Sequence, residues 1–250
     1  MRQIIVLLSL SFLLACKKEN KEPVCRFTKI AGAGSATKST VTYSGDTMVT
    51  VSGNYPDYTL YYNQQQRLVR REQPAINPYY RSEMAYNANG QVTELLFNTK
   101  LGNSWVYQGK LVFLYDNGRI INVREENAAS QPGNMYDYQL TWQGNDIQSV
   151  MERLNQQAIC TTKFSYDGTI PNPMRGFSDF YFCDGDANYT NYKLPYYFSE
   201  HLVTKQESTC PLSETRLFNY TFTSNALVES MVGHTGYVTG VMWEYEYECR

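Results

Sequence analysis

Histidine is nearly absent. The 250-residue chain has two, His201 and His234, and neither has a second histidine at the i, i+4 spacing that seats a metal on one helix face. A nucleophilic G-x-S-x-G elbow is missing, as is a glycine-rich phosphate loop leading into a helix. Gly32-Ala33-Gly34-Ser35 lacks the lysine such a loop needs. Charge of one sign is also missing, with 22 Lys and Arg interspersed among 24 Asp and Glu for a net charge of -2. That balance offers no footprint for nucleic acid or an anionic membrane face. No cofactor is implied. The longest apolar run, Ile4 to Leu14, is eleven residues, short of the roughly 20 a spanning helix requires.

That run has a different use. Arg2 precedes it as a positive n-region, so residues 1–15 read as a signal peptide. Behind it, Lys17 to Pro23 is charged, free of aromatics and too polar to order itself, which makes residues 16–24 a tether. Residues 25–250 remain as one domain, and 42% hydrophobic content is enough for a core. The outlying count is 22 tyrosines, a residue that covers a half-buried strand face while its hydroxyl stays wet.

A β-hairpin anchors the reading of that domain. Lys110 to Tyr115 alternates apolar and polar, Asp116-Asn117-Gly118 turns, and Ile120, Ile121 and Val123 resume the alternation. Asn-Gly suits the left-handed angles of a two-residue turn. Weaker copies recur, each closing its incoming strand on an aromatic: Tyr43, Tyr62, Tyr86, Tyr115, Trp142, Tyr166, Phe198 and Phe222. An apolar or aromatic residue stands two positions earlier each time, on the same strand face. Branched aliphatics follow most turns. The pattern predicts an all-β fold, a large antiparallel β-meander of repeated hairpins whose sheet curls or rolls. Whether the sheet closes is open. Ile147, Val150, Met151 and Leu154 also fit a helical spacing capped by Asp146, but their register with the other post-turn strands favours a strand.

Two resemblances follow from these residues. Leu13-Leu14-Ala15-Cys16 resembles the lipobox of bacterial lipoproteins, which implies lipidation at Cys16, cleavage before it and a permanent membrane anchor. Tyr115-Asp116-Asn117-Gly118-Arg119-Ile120 resembles the tyrosine-aspartate (YD, RHS-like) repeat of bacterial shell and wall-associated proteins. Tyr62-Asn63, Tyr86-Asn87 and Tyr166-Asp167 are degenerate copies. Together they resemble Bacteroidetes-type lipoproteins of unknown function. The resemblance implies a cell-envelope location, lipid-anchored at the outer membrane with the leaflet undecided, and no catalytic residues. Asp46-Thr47-Met48 resembles the O-glycosylation signal of secreted proteins from such bacteria.

Five cysteines remain besides Cys16, an odd number for an oxidising compartment. Cys160 with Cys183, and Cys210 with Cys249, are the candidate disulfide pairs, among many possible connectivities. Asp184, Asp186 and Asn188 place oxygens at alternate positions as a calcium loop does, but Tyr189 and Pro195 stand where that loop needs Gly and Glu, so a polar turn is expected and no metal. Glu125 and Glu126 are adjacent and should face opposite sides of a strand. His201 is expected in a solvated turn.

Aromatics supply the functional expectation. Runs such as Tyr79-Tyr80, Tyr196-Tyr197-Phe198 and Trp243 to Tyr247 should leave some rings outside the sheet, where they can stack on sugars or anchor a protein. Tyr196, Tyr197, Trp243 and Tyr245 are the candidate ligand-binding residues. The expected protein is a non-catalytic binding or scaffold module for glycan or envelope-protein ligands. The alternative is a glycan hydrolase with carboxylates gathered from distant strands.

Overall fold

The structure, a computed structural model, describes residues 25–32, 38–45, 48–53, 57–73, 79–127, 135–172, 194–196, 198–209, 214–234 and 239–249. Residues 1–24, where a signal peptide, Cys16 and a tether are expected, and Thr47 lie outside them. The described chain is sixteen strands: β1 (Cys25–Gly32), β2 (Ser39–Ser44), β3 (Met48–Ser52), β4 (Tyr58–Tyr62), β5 (Leu68–Gln73), β6 (Tyr79–Tyr86), β7 (Val92–Leu101), β8 (Ser104–Asp116), β9 (Arg119–Asn127), β10 (Tyr136–Gln143), β11 (Asp146–Leu154), β12 (Gln157–Pro171), β13 (His201–Ser208), β14 (Thr215–Phe222), β15 (Val228–His234) and β16 (Thr239–Cys249). Each pairs antiparallel with its neighbours in sequence, and β16 returns to β1, with Cys25 opposite Cys249 and Gly32 opposite Trp243. The rolled sheet is therefore a closed barrel. Residues 147–154 lie in β11, as their register predicts.

Two kinds of turn build the hairpins at one end of the barrel. Between Asp116 and Arg119, Asn117 and Gly118 have φ of 47° and 80°, the paired left-handed geometry that matches strand twist. The longer turns are held by a side chain. Asn63 Oδ1 accepts from the amides of Gln65 and Arg67, and Asn87 Oδ1 accepts from those of Asn89 and Gln91. Thr223 Oγ1 takes the amide of Leu227 in the same place. The degenerate Tyr-Asn motif thus marks a longer turn of the same hairpin.

The repeat also carries a bulge. Register shifts fall just before the closing aromatic at Tyr61/Tyr62, Ala85/Tyr86, Leu114/Tyr115, Thr141/Trp142, Ser165/Tyr166 and Thr221/Phe222. A bulge bends a strand and raises its twist, so these six roll the sheet, while β2 and β3 pair without one. At that end neighbouring hairpins part. The ladder between β9 and β10 stops at Asn122, two residues short of Ile120, and the carbonyl of Ile120 instead accepts from Trp142 Nε1 at 2.7 Å. The hydroxyls of Tyr86, Tyr166, Tyr220 and Tyr247 likewise donate to the carbonyls of Leu68, Ile147, Val203 and Val228. Tyr86, Trp142 and Tyr166 close their own hairpins and pin them to the preceding one, and Tyr220, two residues before Phe222, and Tyr247, on the strand that meets β1, tie β14 and β16 to the preceding hairpin in the same way.

Phe198 does not belong to this set. It lies beyond a helical turn at 194–196, because Pro195 has no amide to give a ladder. The repeat unit missing from the predicted series is supplied by Tyr247, opposite Phe27 on β1.

Inside and outside differ sharply. Leu60, Leu68, Leu95, Val123, Ile147 and Val150 are fully buried, and together with Phe27, Tyr138, Leu202, Val228 and others they form one continuous apolar core. A round sixteen-strand barrel would leave an aqueous channel. A dry core therefore requires opposed walls close to the roughly 10 Å of packed sheets, a flattened cross-section. The outer face carries Lys29 paired with Glu246, Lys38 with Glu244 and Glu246, Lys110 with Glu94 and Glu126, Arg124 with Asp137, and Lys205 with Glu207. This is the reverse of a membrane-spanning barrel, whose lipid face is an apolar band and where a mid-depth Lys or Arg costs about 2–4 kcal/mol.

Candidate functional site

The two ends of the barrel are built differently. At the hairpin end, the residues that lead into β13 fold over the mouth. Leu194 is fully buried, and Tyr196 and Phe198 pack on the core, Tyr196 edge-on to Phe218 at 6.3 Å. Ser199 Oγ accepts from the amide of Ile147 at 3.0 Å and shares a hydrogen bond with the Tyr166 hydroxyl. Asn172, at the end of β12, donates from its side chain to the carbonyls of Tyr196 and Ser199. Glu200 and Asn145 bind one another through backbone and side chain. Burial drives the Tyr166, Tyr196 and Tyr220 phenols well above the usual tyrosine range, so they remain neutral donors.

His201 is the first residue of β13, not a solvated turn residue. Its amide donates to Asp146 Oδ1 at 2.9 Å and its Nδ1 lies 2.8 Å from Asp146 Oδ2. Asp146 so fixes the start of β13 and does not cap a helix. A carboxylate orienting an imidazole resembles half of a hydrolytic triad, but the nearby Ser199 hydroxyl is committed to Ile147 and Tyr166. The three residues form a structural clasp over the mouth.

At the opposite end the inward-facing side chains become polar. Arg71, Gln73, Ser82, Thr99, Thr162, Gln206 and Ser208 are buried there, and Arg71 lies over the Tyr58 ring at 4.5 Å. Glu125 faces inward and accepts from the Tyr136 amide at 3.4 Å, while Glu126 pairs with Lys110 outside, as strand alternation requires. Glu152 stands opposite Tyr138 on the next hairpin. Burial raises both the Glu125 and Glu152 carboxyls. Among the described residues no group of His, Cys, Asp and Glu is arranged to hold a metal.

The candidate ligand-binding rings are not a surface cluster. Tyr245 is 3% exposed and packs against Phe27, and Tyr196 belongs to the cover of the mouth. A period of two places Tyr245 and Tyr247 on one face, and Phe27 draws that face inward. Trp243 stands opposite Met231 in the ladder, and Tyr197, Asp184, Asp186 and Asn188 lie outside the described residues. Cys160 is disulfide-bonded, Cys249 stands opposite Cys25, and Cys183 and Cys210 fall outside the described residues.

Outward rings occur elsewhere, on β4, β6 and β8. Tyr79 and Trp105 meet with centroids 5.0 Å apart, Arg81 covers Trp105 at 4.5 Å, and Arg70 covers Tyr61 at 3.9 Å. Both tyrosine hydroxyls donate to Glu72, which also pairs with Arg70. The Tyr79-Tyr80 run hints at this group, but Trp105 and Tyr61 are found only by knowing which strands are neighbours.

No family model matches the chain, and no curated protein matches it. Among solved structures it is similar to a porin-like protein from Bacteroides uniformis, with 14% identity, a TM-score of 0.43 and coverage of 89% of this chain and 98% of that one. A porin-like protein from Bacteroides vulgatus gives 12% identity and a TM-score of 0.42 over the same shares. The barrel described above rests on this chain's own strand pairing.

Proposed function

We propose that this chain is a lipid-anchored cell-envelope protein whose barrel stands in water and serves as a non-catalytic binding or scaffold module. The observation that carries the reading is the polarity of the wall. Ion pairs run along the outer face of the described strands, where a membrane-spanning barrel carries its apolar band, and aliphatic side chains fill the inside, so the barrel needs another means of staying at a membrane. Cys16, behind its signal peptide, supplies one. Two or three acyl chains, each buried methylene contributing about 0.8 kcal/mol, hold a soluble body at a bilayer permanently.

Fractionation of cells carrying the full chain and its Cys16→Ala variant tests this. The wild type should sediment with membranes and be freed by detergent, with an acylated amino-terminal peptide by mass spectrometry. The variant should appear in the soluble fraction as a folded monomer. A variant that stays in carbonate-washed membranes would show that the barrel itself is embedded.

The second reading, a glycan hydrolase, is favoured by one observation: Glu125 and Glu152 are inward carboxyls, both raised by burial, on either side of β10. Glycan turnover abolished by Glu152→Gln and by Glu125→Gln would establish it.

A further inference from the structure

We propose that the outward face of β4 to β8 is a binding platform for an acidic glycan, a sugar chain bearing carboxylate or sulfate groups. Every outward-facing ring among residues with described side chains, Tyr61, Tyr79, Trp105 and Tyr107, lies on this one stretch of wall, whereas β9 to β15 present Thr, Ser, Asn, Gln, charged and aliphatic side chains. Covering a sheet does not require such segregation. Rings used as cover would be spread around the barrel, as the inward ones are.

The local order favours a hydroxylated anion. Tyr79, Lys100 and Trp105 are successive cross-strand neighbours on β6, β7 and β8. Lys100 is exposed, lies 5.6 Å from the Tyr79 ring centre and 6.0 Å from that of Trp105, and makes no ion pair among the described residues. Arg81 and Arg70 bring two more cations, against the carboxylates of Glu83 and Glu72. Asn98 donates to Glu83 in the same row. Rings offer apolar faces to the C–H side of a sugar, carboxylate and amide groups bind hydroxyls, and Lys100 remains to neutralise an acid group. A protein partner would call for an apolar centre, and here charges separate the rings. The hydroxyl bonds to Glu72 and the cations over the rings hold the platform in place before binding, which lowers its entropic cost.

The placement suits this use. Tyr79 begins β6 and Trp105 lies near the start of β8, at the end of the barrel opposite Cys25, where the tether leaves. On the reading of a lipid-anchored barrel in water, on which this inference rests, the platform is the part held farthest from the bilayer.

The test uses the full chain in detergent micelles, titrated calorimetrically with polygalacturonate oligomers, sulfated galactan oligomers and neutral galactan oligomers of equal length. At least one acidic series should bind, more weakly as salt rises, and the neutral series at least tenfold more weakly. Trp105→Ala should lose tenfold or more and Trp105→Phe much less. Lys100→Ala should lose several-fold and flatten the salt dependence, and Lys163→Ala, on the far side, should match the wild type. Circular dichroism and Tm report whether each variant folds. Equal binding of neutral and acidic oligomers, wild-type affinity in both Trp105→Ala and Lys100→Ala, or no binding of any oligomer overturns the proposal. Fractionation of Cys16→Ala judges the anchoring separately, whatever the oligomers do.

Discussion

Tyr86 donates from its hydroxyl to the carbonyl of Leu68 at 2.6 Å, across the gap where the β5–β6 ladder has already stopped at Arg70 and Glu83. Tyr115 closes the next hairpin with the same type of ring, but its hydroxyl has no hydrogen bond among the described residues, and burial alone pushes its pKa up to about 12. The two therefore separate the ring's contribution from the hydroxyl's. Tyr86→Phe should cost about 1–3 kcal/mol, since it strands a part-buried carbonyl, while Tyr115→Phe should be neutral or stabilising. Denaturant unfolding of both variants measures the difference, and equal losses would show that the bond contributes nothing.

Turn geometry gives a second contrast. A Cβ at Gly118 meets nothing within 4 Å, so Gly118→Val is penalised only through its φ of 80°, by about 1 kcal/mol or more. A Cβ at Gly109 would sit 2.8 Å from the carbonyl oxygen of Glu126 in the adjacent strand. Even Gly109→Ala should then cost about 1–3 kcal/mol, because backbone must move. Thermal unfolding should rank both below the wild type.

Stability should respond to acid through Glu125. Its carboxyl is raised by burial, partly offset by the Tyr136 amide. A carboxyl raised in the folded state contributes stability below its unfolded pKa and loses it as pH rises through the folded value, so at neutral pH the charge is a liability. Glu125→Gln, which keeps an oxygen for the Tyr136 amide, should raise Tm at pH 7. The gain should vanish near pH 4, where the native side chain is already protonated. Melting curves at both pH values decide it.

The ladder also bears on the disulfides. Thr162 pairs with Ser208, and Thr161 and Thr209 exchange hydrogen bonds, so among the described residues Cys160 has its cross-strand neighbourhood at the end of β13, by Ser208 and Thr209. Peptide mapping without reduction should join Cys160 to Cys210, not Cys183, and Cys25 to Cys249. A peptide linking Cys160 to Cys183 would refute the first of these assignments.

The hairpins were legible because turn chemistry and period-two alternation are local properties. Tyr115 to Ile120 contains its whole turn, and the Asn63 and Asn87 turns are made by the residue next to the closing aromatic. Errors arose where the decisive neighbour is distant. Tyr196-x-Phe198 with Leu202 has the residues of a hairpin end, and Pro195 was the available sign that it is not one. Tyr247 carries no local hairpin signal, because its ladder partner, Phe27, is distant in sequence. Alternation separates the two faces of β16 but does not say which is inside, so Tyr245 read equally well as a surface ring. The Trp105 group needed three strands in register before it existed.

Closure has a kinetic consequence. Every strand pairs with its sequence neighbour except at the seam, where β1 meets β16. Hairpins can form one after another as the chain emerges, each closing a short loop, and such local contacts favour fast folding. Strand β1 must wait with one edge unpaired until β16 arrives, and an open edge recruits strands from other copies. A chain lacking β16 would keep most of its hairpins and still present two free edges, so loss of that strand should show itself as association between molecules more than as unfolding.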